Sequence, residues 1–244
     1  MSIIDKIFKS KYPQHPFCTA VILAAGSSQR MGADKILMEL AGRPVLAHTI
    51  EAFERSECID EIIAVTKLAK LQEISDICCN CGFEKVTKVV CGGRTRAESA
   101  LAGVSAANEN ALLIGIHDGA RPFVSTQLID RVVHDAEVNS ASAPAVKPTD
   151  TVRIMNAKGV VAETPDRDCV ALVQTPQVFR AELIKGALTR AVDRQTKITD
   201  DCSAVEAMGY KVSLVPGEED NIKLTTKRDV YIAERIIADR SRTT

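Results

Sequence analysis

No run of apolar residues in this chain approaches the ~20 that span a bilayer, so the sequence offers no candidate membrane helix. An excess of charge is also lacking: 31 Lys and Arg face 32 Asp and Glu, which gives no electrostatic case for nucleic acid or an anionic membrane surface. Residues 1–17 mix Ile and Phe with several lysines but hold neither a long apolar core nor a small-residue cleavage site. They read as an N-terminal extension and not as a signal peptide. A paired C-x-x-C knuckle is missing too. The eight cysteines fall at 18, 58, 78, 79, 81, 91, 169 and 202, dense only at Cys78-Cys79-Asn80-Cys81, with no histidine at ligand spacing to them. A zinc site is therefore disfavoured. The cysteines are expected to be reduced, in a cytoplasm, and several of them to serve as small core residues. Internal repeats and low-complexity tracts are absent.

What is present centres on residues 18–35, CTAVILAAGSSQRMGADK. The apolar run Thr19-Ala20-Val21-Ile22-Leu23 is short and rich in β-branched residues, which reads as a buried strand. The small residues Ala24, Ala25, Gly26, Ser27 and Ser28 follow and let backbone approach a ligand closely. Arg30 and Lys35 then supply two cations. A strand running into such a loop suits a polyphosphate, held by N–H groups and neutralised by the cations. The familiar nucleotide motifs do not fit. Gly32 is followed by Ala33-Asp34, not by the Lys-Ser/Thr of a Walker A loop, and Ser28 stands where a dinucleotide fingerprint has its second glycine. From spacing alone, an ordinary βα turn with two solvated cations is an equal reading.

Further along, residues 44–55 show helical apolar spacing behind a proline, 61–65 a strand, 68–79 a helix, and 86–90 a third strand. This alternation predicts right-handed crossovers and a Rossmann-like, mostly parallel sheet flanked by helices, with ligands beyond the carboxyl ends of its strands. Cys91-Gly92-Gly93-Arg94-Thr95-Arg96-Ala97-Glu98-Ser99 follows the third strand and opens a helix. Residues 111–116 read as a fourth strand that delivers His117-Asp118-Gly119-Ala120-Arg121-Pro122. An Asp at a strand end suits magnesium, although an Asx turn explains it equally well. His117 reads as a packing residue more than a base. The pattern continues with a Ser-capped helix at 125–138 and a strand at 141–146. A hairpin follows, with strands at 151–155 and 160–164, which is marginal in water alone and should pack on something. Helices at 181–192, 202–208 and 230–237 and a strand at 211–215 complete one domain, residues 18–240, with a protruding arm at 150–165. Segments 24–35, 92–99 and 118–121 should share one rim.

Leu23-Ala24-Ala25-Gly26 through Arg30-Met31-Gly32 and Lys35 resembles the signature loop of the sugar-nucleotidyltransferase-like superfamily. The GG-x-x-R-x-x-S string, His117–Pro122, Gln174-Thr175-Pro176-Gln177 and Asn221-Ile222-Lys223-Leu224-Thr225 narrow the resemblance. It becomes that of the 2-C-methyl-D-erythritol 4-phosphate cytidylyltransferases of the non-mevalonate isoprenoid pathway, over residues 20–236. The resemblance implies transfer of a cytidylyl group from CTP to the alcohol phosphate with a divalent cation, Mg2+. It implies nucleotide contacts at Ala24, Ala25, Gly26, Gly92, Gly93 and Ser99. Catalytic cations would be Arg30, Lys35, Arg167 and Lys223. The alcohol would meet Asp118, Arg121, Thr151, Arg167, Thr199 and Lys223, with Asp118 also nearest the metal. It further implies a homodimer through the arm, with Thr151 acting in the partner's site. At Arg94 the chain departs from the acidic residue common in the family, at the ribose contact. A cytidylyltransferase for another polyol phosphate, such as ribitol 5-phosphate, and a non-catalytic nucleotide-binding protein are the alternatives.

Overall fold

The computed structural model describes residues 15–26 and 35–243. Seven strands of one eight-stranded sheet lie in the order β10-β7-β11-β6-β1-β4-β5, and β12 pairs with β7. The parallel half comprises β1 (Cys18–Leu23), β4 (Glu61–Thr66), β5 (Val86–Cys91) and β6 (Leu113–Asp118). β1 lies between β4 and β6, parallel to both. β7 (Ala141–Val146) and β12 (Ser213–Pro216) are parallel to each other, and β11 (Gln177–Arg180) runs antiparallel between β6 and β7. β10 (Leu172–Val173) pairs antiparallel with the far end of β7. Two small ladders stand apart: β2 (Glu39–Leu40) with β3 (Arg43–Pro44), and β8 (Ile154–Met155) with β9 (Val161–Glu163).

Strand alternation builds two cores at once, because successive side chains point to opposite faces. Ala20, Ile22, Ile62 and Ala64 join one cluster, whereas Val21, Ile63 and Val65 join the other. The first is covered by α1 (Val45–Arg55), α2 (Leu71–Asn80) and α4 (Thr126–Asn139), through Leu46, Ile50, Phe53, Ile74 and Leu128. The second is covered by α3 (Arg96–Ala106), α5 (Ala181–Asp193) and α6 (Asp201–Glu206), through Ala100, Val104, Ile184, Leu188 and Val205. Burial on both faces explains why these strands are apolar runs. Helix α3 lies very close to the sheet at Gly103, where a Cβ would stand 2.3 Å from Val21 Cγ1 and 2.7 Å from Val65 Cγ2. A third, smaller cluster docks α7 (Lys227–Thr243) through Ala233 and Ile236 on Phe123, Leu224 and Val45. Cys18, Cys58, Cys78 and Cys202 are buried core residues, while Cys79, Cys91 and Cys169 are exposed and Cys81 is half-buried.

The sequence reading and the structure part company at a few places. The fourth strand begins at Leu113 and runs through Asp118, two residues later than expected, because β1 pairs with it as far as Leu23–Asp118. The arm's strands are only two and three residues long. Asn156 accepts hydrogen bonds from the N–H groups of Lys158 and Val160 and closes the turn, with Gly159 at φ 77°. Helix α6 starts one residue earlier than expected, behind Asp200. Asp200 accepts from the Ser203 N–H while the Ser203 hydroxyl receives the Asp200 N–H, a reciprocal cap. The last helix is longer than the apolar spacing suggested. β10 and β11 were not foreseen, since Pro176 interrupts the run that contains them. The Thr175–Pro176 peptide is cis.

Candidate active site

The rim at the carboxyl ends of the parallel strands is stitched by backbone. Ala24 N–H donates to Val65 O (2.7 Å), Gly92 N–H to Thr66 O (2.7 Å) and Gly119 N–H to Leu23 O (2.9 Å). Each loop leaving a strand is thus tied to the neighbouring strand end, and the Thr49 hydroxyl of α1 adds a bond to Gly119 O (2.9 Å). The three segments expected on one rim meet there, as far as they are described. Around them opens a cleft of about 490 Å3, lined by Ala25, Gly26, Lys35, Gly93, Ser99, Asp118 and Lys223, with Lys67, Arg94 and Arg96 at its wall.

The two glycines are required by packing. A Cβ on Gly93 would fall 2.2 Å from Glu98 Cβ, and one on Gly92 would fall 2.7 Å from Ser99 Oγ and 3.1 Å from Ala25 Cβ. The loop can therefore press its backbone against the start of α3, where Thr95 caps the helix by accepting the Glu98 N–H. Glu98 in turn accepts the Arg94 N–H at 2.7 Å. The buried Ser99 hydroxyl donates to Thr95 O at 2.9 Å, so it shapes the loop from within.

Asp118 is the charge centre of the cleft. Lys223 Nζ lies 2.8 Å from Oδ2, Arg121 Nε 3.7 Å from Oδ2, and Arg96 3.7 Å from Oδ1. Burial alone would raise its pKa. The three cations outweigh burial and hold the carboxyl well below the usual carboxylate range. Arg96 is anchored by a two-pronged pair to the fully buried Asp201, at 2.9 and 2.7 Å. Arg121 donates to Asn221 O at 2.6 Å and so joins the β6 end to the segment that carries Lys223. His117 is fully buried, with its ring 4.9 Å from that of Phe53, and burial pushes it down to about 3. A neutral packed ring agrees with the role read from the sequence.

The remaining candidates lie elsewhere. Arg30 falls outside the described residues. Ala24 is buried just behind the cleft wall. Arg167 sits on a short 3₁₀ turn, Arg167–Cys169, and donates to Thr149 O at 3.2 Å, at the base of the arm. Thr151 is exposed on the arm, and Thr199 is exposed, with its N–H on Ser203 Oγ. A single chain does not bring these three into the cleft. Sequence reasoning assigned nothing to Lys67 or to the Arg96–Asp201 pair. Arg96 is the arginine of the GG-x-x-R-x-x-S string, so a signal was present, but its partner lies 105 residues away. Among the described residues no group of three or more His, Cys, Asp or Glu could hold a metal.

A mostly parallel sheet thus carries a cation-ringed carboxylate and a glycine-tightened loop at its strand ends, where such sheets bind their ligands. Residues 18–239 match the family described as 2-C-methyl-D-erythritol 4-phosphate cytidylyltransferase, and the chain belongs to that family. The enzyme of that name from Halalkalibacterium halodurans is 39% identical over 226 residues, 92% of this chain and 98% of the relative. The one from Clostridium tetani is 37% identical over 220 residues, 89% of each chain. Among solved structures, the 4-diphosphocytidyl-2C-methyl-D-erythritol synthase of Anaerococcus prevotii superposes with a TM-score of 0.82 at 35% identity. That match covers 91% of this chain and 98% of the other.

Proposed function

We propose that this chain transfers the cytidylyl group of CTP to 2-C-methyl-D-erythritol 4-phosphate, in the non-mevalonate route to isoprenoids. A phosphate oxygen of the alcohol attacks the α-phosphorus of CTP. A new P–O bond forms, the bond from the α-phosphorus to the bridging oxygen breaks, and pyrophosphate leaves. The nucleophile is already an anion at neutral pH, so no general base is needed. The difficulty is to bring two polyanions together, which is a problem of position and electrostatics. The observation that carries this reading is the cleft in which Lys35, Lys223 and Asp118 face the glycine-tightened loop of residues 92–93 in a chain of this family.

In this reading the backbone of residues 24–26 and 92–93 holds the nucleoside and its phosphates, with Ser99 fixing the loop. Arg30 and Lys35 neutralise the CTP phosphates as charge moves toward pyrophosphate. Lys223 and Arg167 grip the phosphate of the alcohol, and Arg121 and Thr199 help hold its carbon chain. Mg2+ takes one or two carboxylates together with phosphate oxygens and water. Asp118 is the carboxylate of the cleft, but it already faces Lys223, Arg121 and Arg96, so the described residues make no cage by themselves, and a bound ion would rest chiefly on the triphosphate, whose charge it would offset. Residues 18–240 act as one domain, the arm at 150–165 pairs two copies, and Thr151 completes the partner's site. No helix among the described residues is long and apolar enough to cross a membrane. The eight free cysteines support a reducing compartment, the cytoplasm, as the site of action. Pyrophosphate release, measured with CTP and either 2-C-methyl-D-erythritol 4-phosphate or ribitol 5-phosphate and repeated with EDTA, tests the reading. Turnover should require the first alcohol and a divalent cation. Turnover of ribitol 5-phosphate alone, or none at all, would overturn it.

A further inference from the structure

Thr175 occupies a position where two ladders fail. β11 pairs with β6 from Gln177–Ile116 upward, and continuing that register by one pleat sets Thr175 opposite Asp118. Pro176 stands between and brings no N–H. Asp118 N–H nevertheless needs a partner, because Asp118 is buried at the strand end. It donates to the Thr175 hydroxyl at 3.1 Å, so a side chain continues the ladder where the main chain cannot.

His117 Nε2 faces Arg121 O at 3.3 Å, and a carbonyl oxygen can only accept, so the neutral ring carries its proton there. Its Nδ1 is then an acceptor, and the Thr175 hydroxyl, which accepts from Asp118 N–H through a lone pair, gives its single proton to Nδ1 at 3.0 Å. Asp118 and Arg121 are thereby gripped at both ends of their turn by one relay. Meanwhile the Thr175 carbonyl accepts from Asn221 Nδ2 at 2.9 Å, and the same amide donates to Gln174 Oε1 at 3.1 Å. Asn221 lies two residues before Lys223. Thr175 is 4% exposed and Asn221 fully buried, so water does not compete for these bonds.

We propose that Thr175 is a positioning residue that sets the distance between Asp118 and Lys223, its hydroxyl holding one partner's segment and its carbonyl the other's. The inference rests on the cytidylyltransferase reading for its kinetic consequence but not for its geometry. Thr175→Val keeps the shape and removes the hydroxyl, and Thr175→Ser keeps the hydroxyl and removes the methyl. Thr175→Val should lower kcat on the order of 10- to 100-fold, as small misplacements in a reacting site do. KM for CTP should stay within about threefold, because ground-state binding is untouched, and Thr175→Ser should recover most of the loss. Hydrogen exchange at the Asp118 amide, read without substrate, should speed up in Thr175→Val and not in Thr175→Ser. This separates the inference from the activity, since it holds or fails even in a protein that turns over nothing. Unchanged exchange and kcat in Thr175→Val, or equal impairment in both variants, would overturn the proposal. If Thr175→Val does not fold, Thr175→Ala against Thr175→Ser gives the same contrast.

Discussion

The rim and the arm are built on opposite terms. The rim buries charge: Asp118, Asp201 and Asn221 lie at or below 9% exposure, and the two carboxylates are matched by cations from the same chain. The arm exposes hydrocarbon: Met155 is 66% and Val160 59% exposed, with Ile154 and Val161 close behind. Besides the short β8–β9 ladder, its internal bonds include a turn around Asn156 and a hydrogen bond from Arg153 to the Thr164 hydroxyl. Buried polar groups persist only when paired, and contiguous exposed apolar residues persist when something covers them. The buried charges of the rim are therefore paired within one chain, whereas the apolar side chains of the arm are left exposed by it.

Deleting residues 153–161 should break this contrast most severely. Size-exclusion chromatography with light scattering should show monomers, and pyrophosphate release should fall to a residual level. A deleted protein that stays dimeric and active would mean that the arm is covered by nothing functional. Within the rim, Lys35→Ala should lower kcat on the order of 10²- to 10³-fold, the scale of a lost oxyanion donor. Steady-state kinetics on protein with wild-type circular dichroism decides this, and near-normal kcat would remove Lys35 from the chemistry. Arg167→Ala, at the junction of the two regions, should raise KM for the alcohol phosphate as well as lower kcat. Arg167→Lys should rescue it only in part, since an ammonium does not reproduce a planar fork. An effect on dimerisation without one on KM would assign Arg167 to the arm. Gly103→Ala, beneath the rim, should cost about 1–3 kcal/mol of stability in urea unfolding through overpacking. Activity per folded molecule should barely change, and a loss of activity without a loss of stability would show that α3 sets the cleft directly.

Much of the rim was legible because its signals are local. Apolar runs such as Ala20–Ile22 and Ile62–Val65, alternating with helical spacing, define the parallel sheet, and the strand ends then bring residues 24–26, 92–99 and 118–121 together. What escaped depends on distance along the chain or on interruption. Nothing near Arg96 announces Asp201, and Pro176 hides the antiparallel strand that separates β6 from β7. Residues 150–165 were legible as a hairpin but not in the length of its strands. Few cross-strand bonds hold it, so its sequence pattern over-reads its pairing.

The segment from Asn221 to Thr225 also fixes an order of events in time. Leu224 N–H donates to Ala120 O at 2.9 Å, and Leu224 packs with Ala233 and Ile236 of the final helix against Phe123. Lys223, the ammonium in direct contact with Asp118, is thus delivered by a segment that is made after every strand of the sheet, the last of which ends at Pro216. Until then Asp118 lacks its nearest counter-ion, although the sheet that carries it can already be in place. A chain cut before this segment would keep the strands of the sheet but lose the cation nearest Asp118, so the charge balance of the rim depends on a part of the sequence that lies outside the sheet.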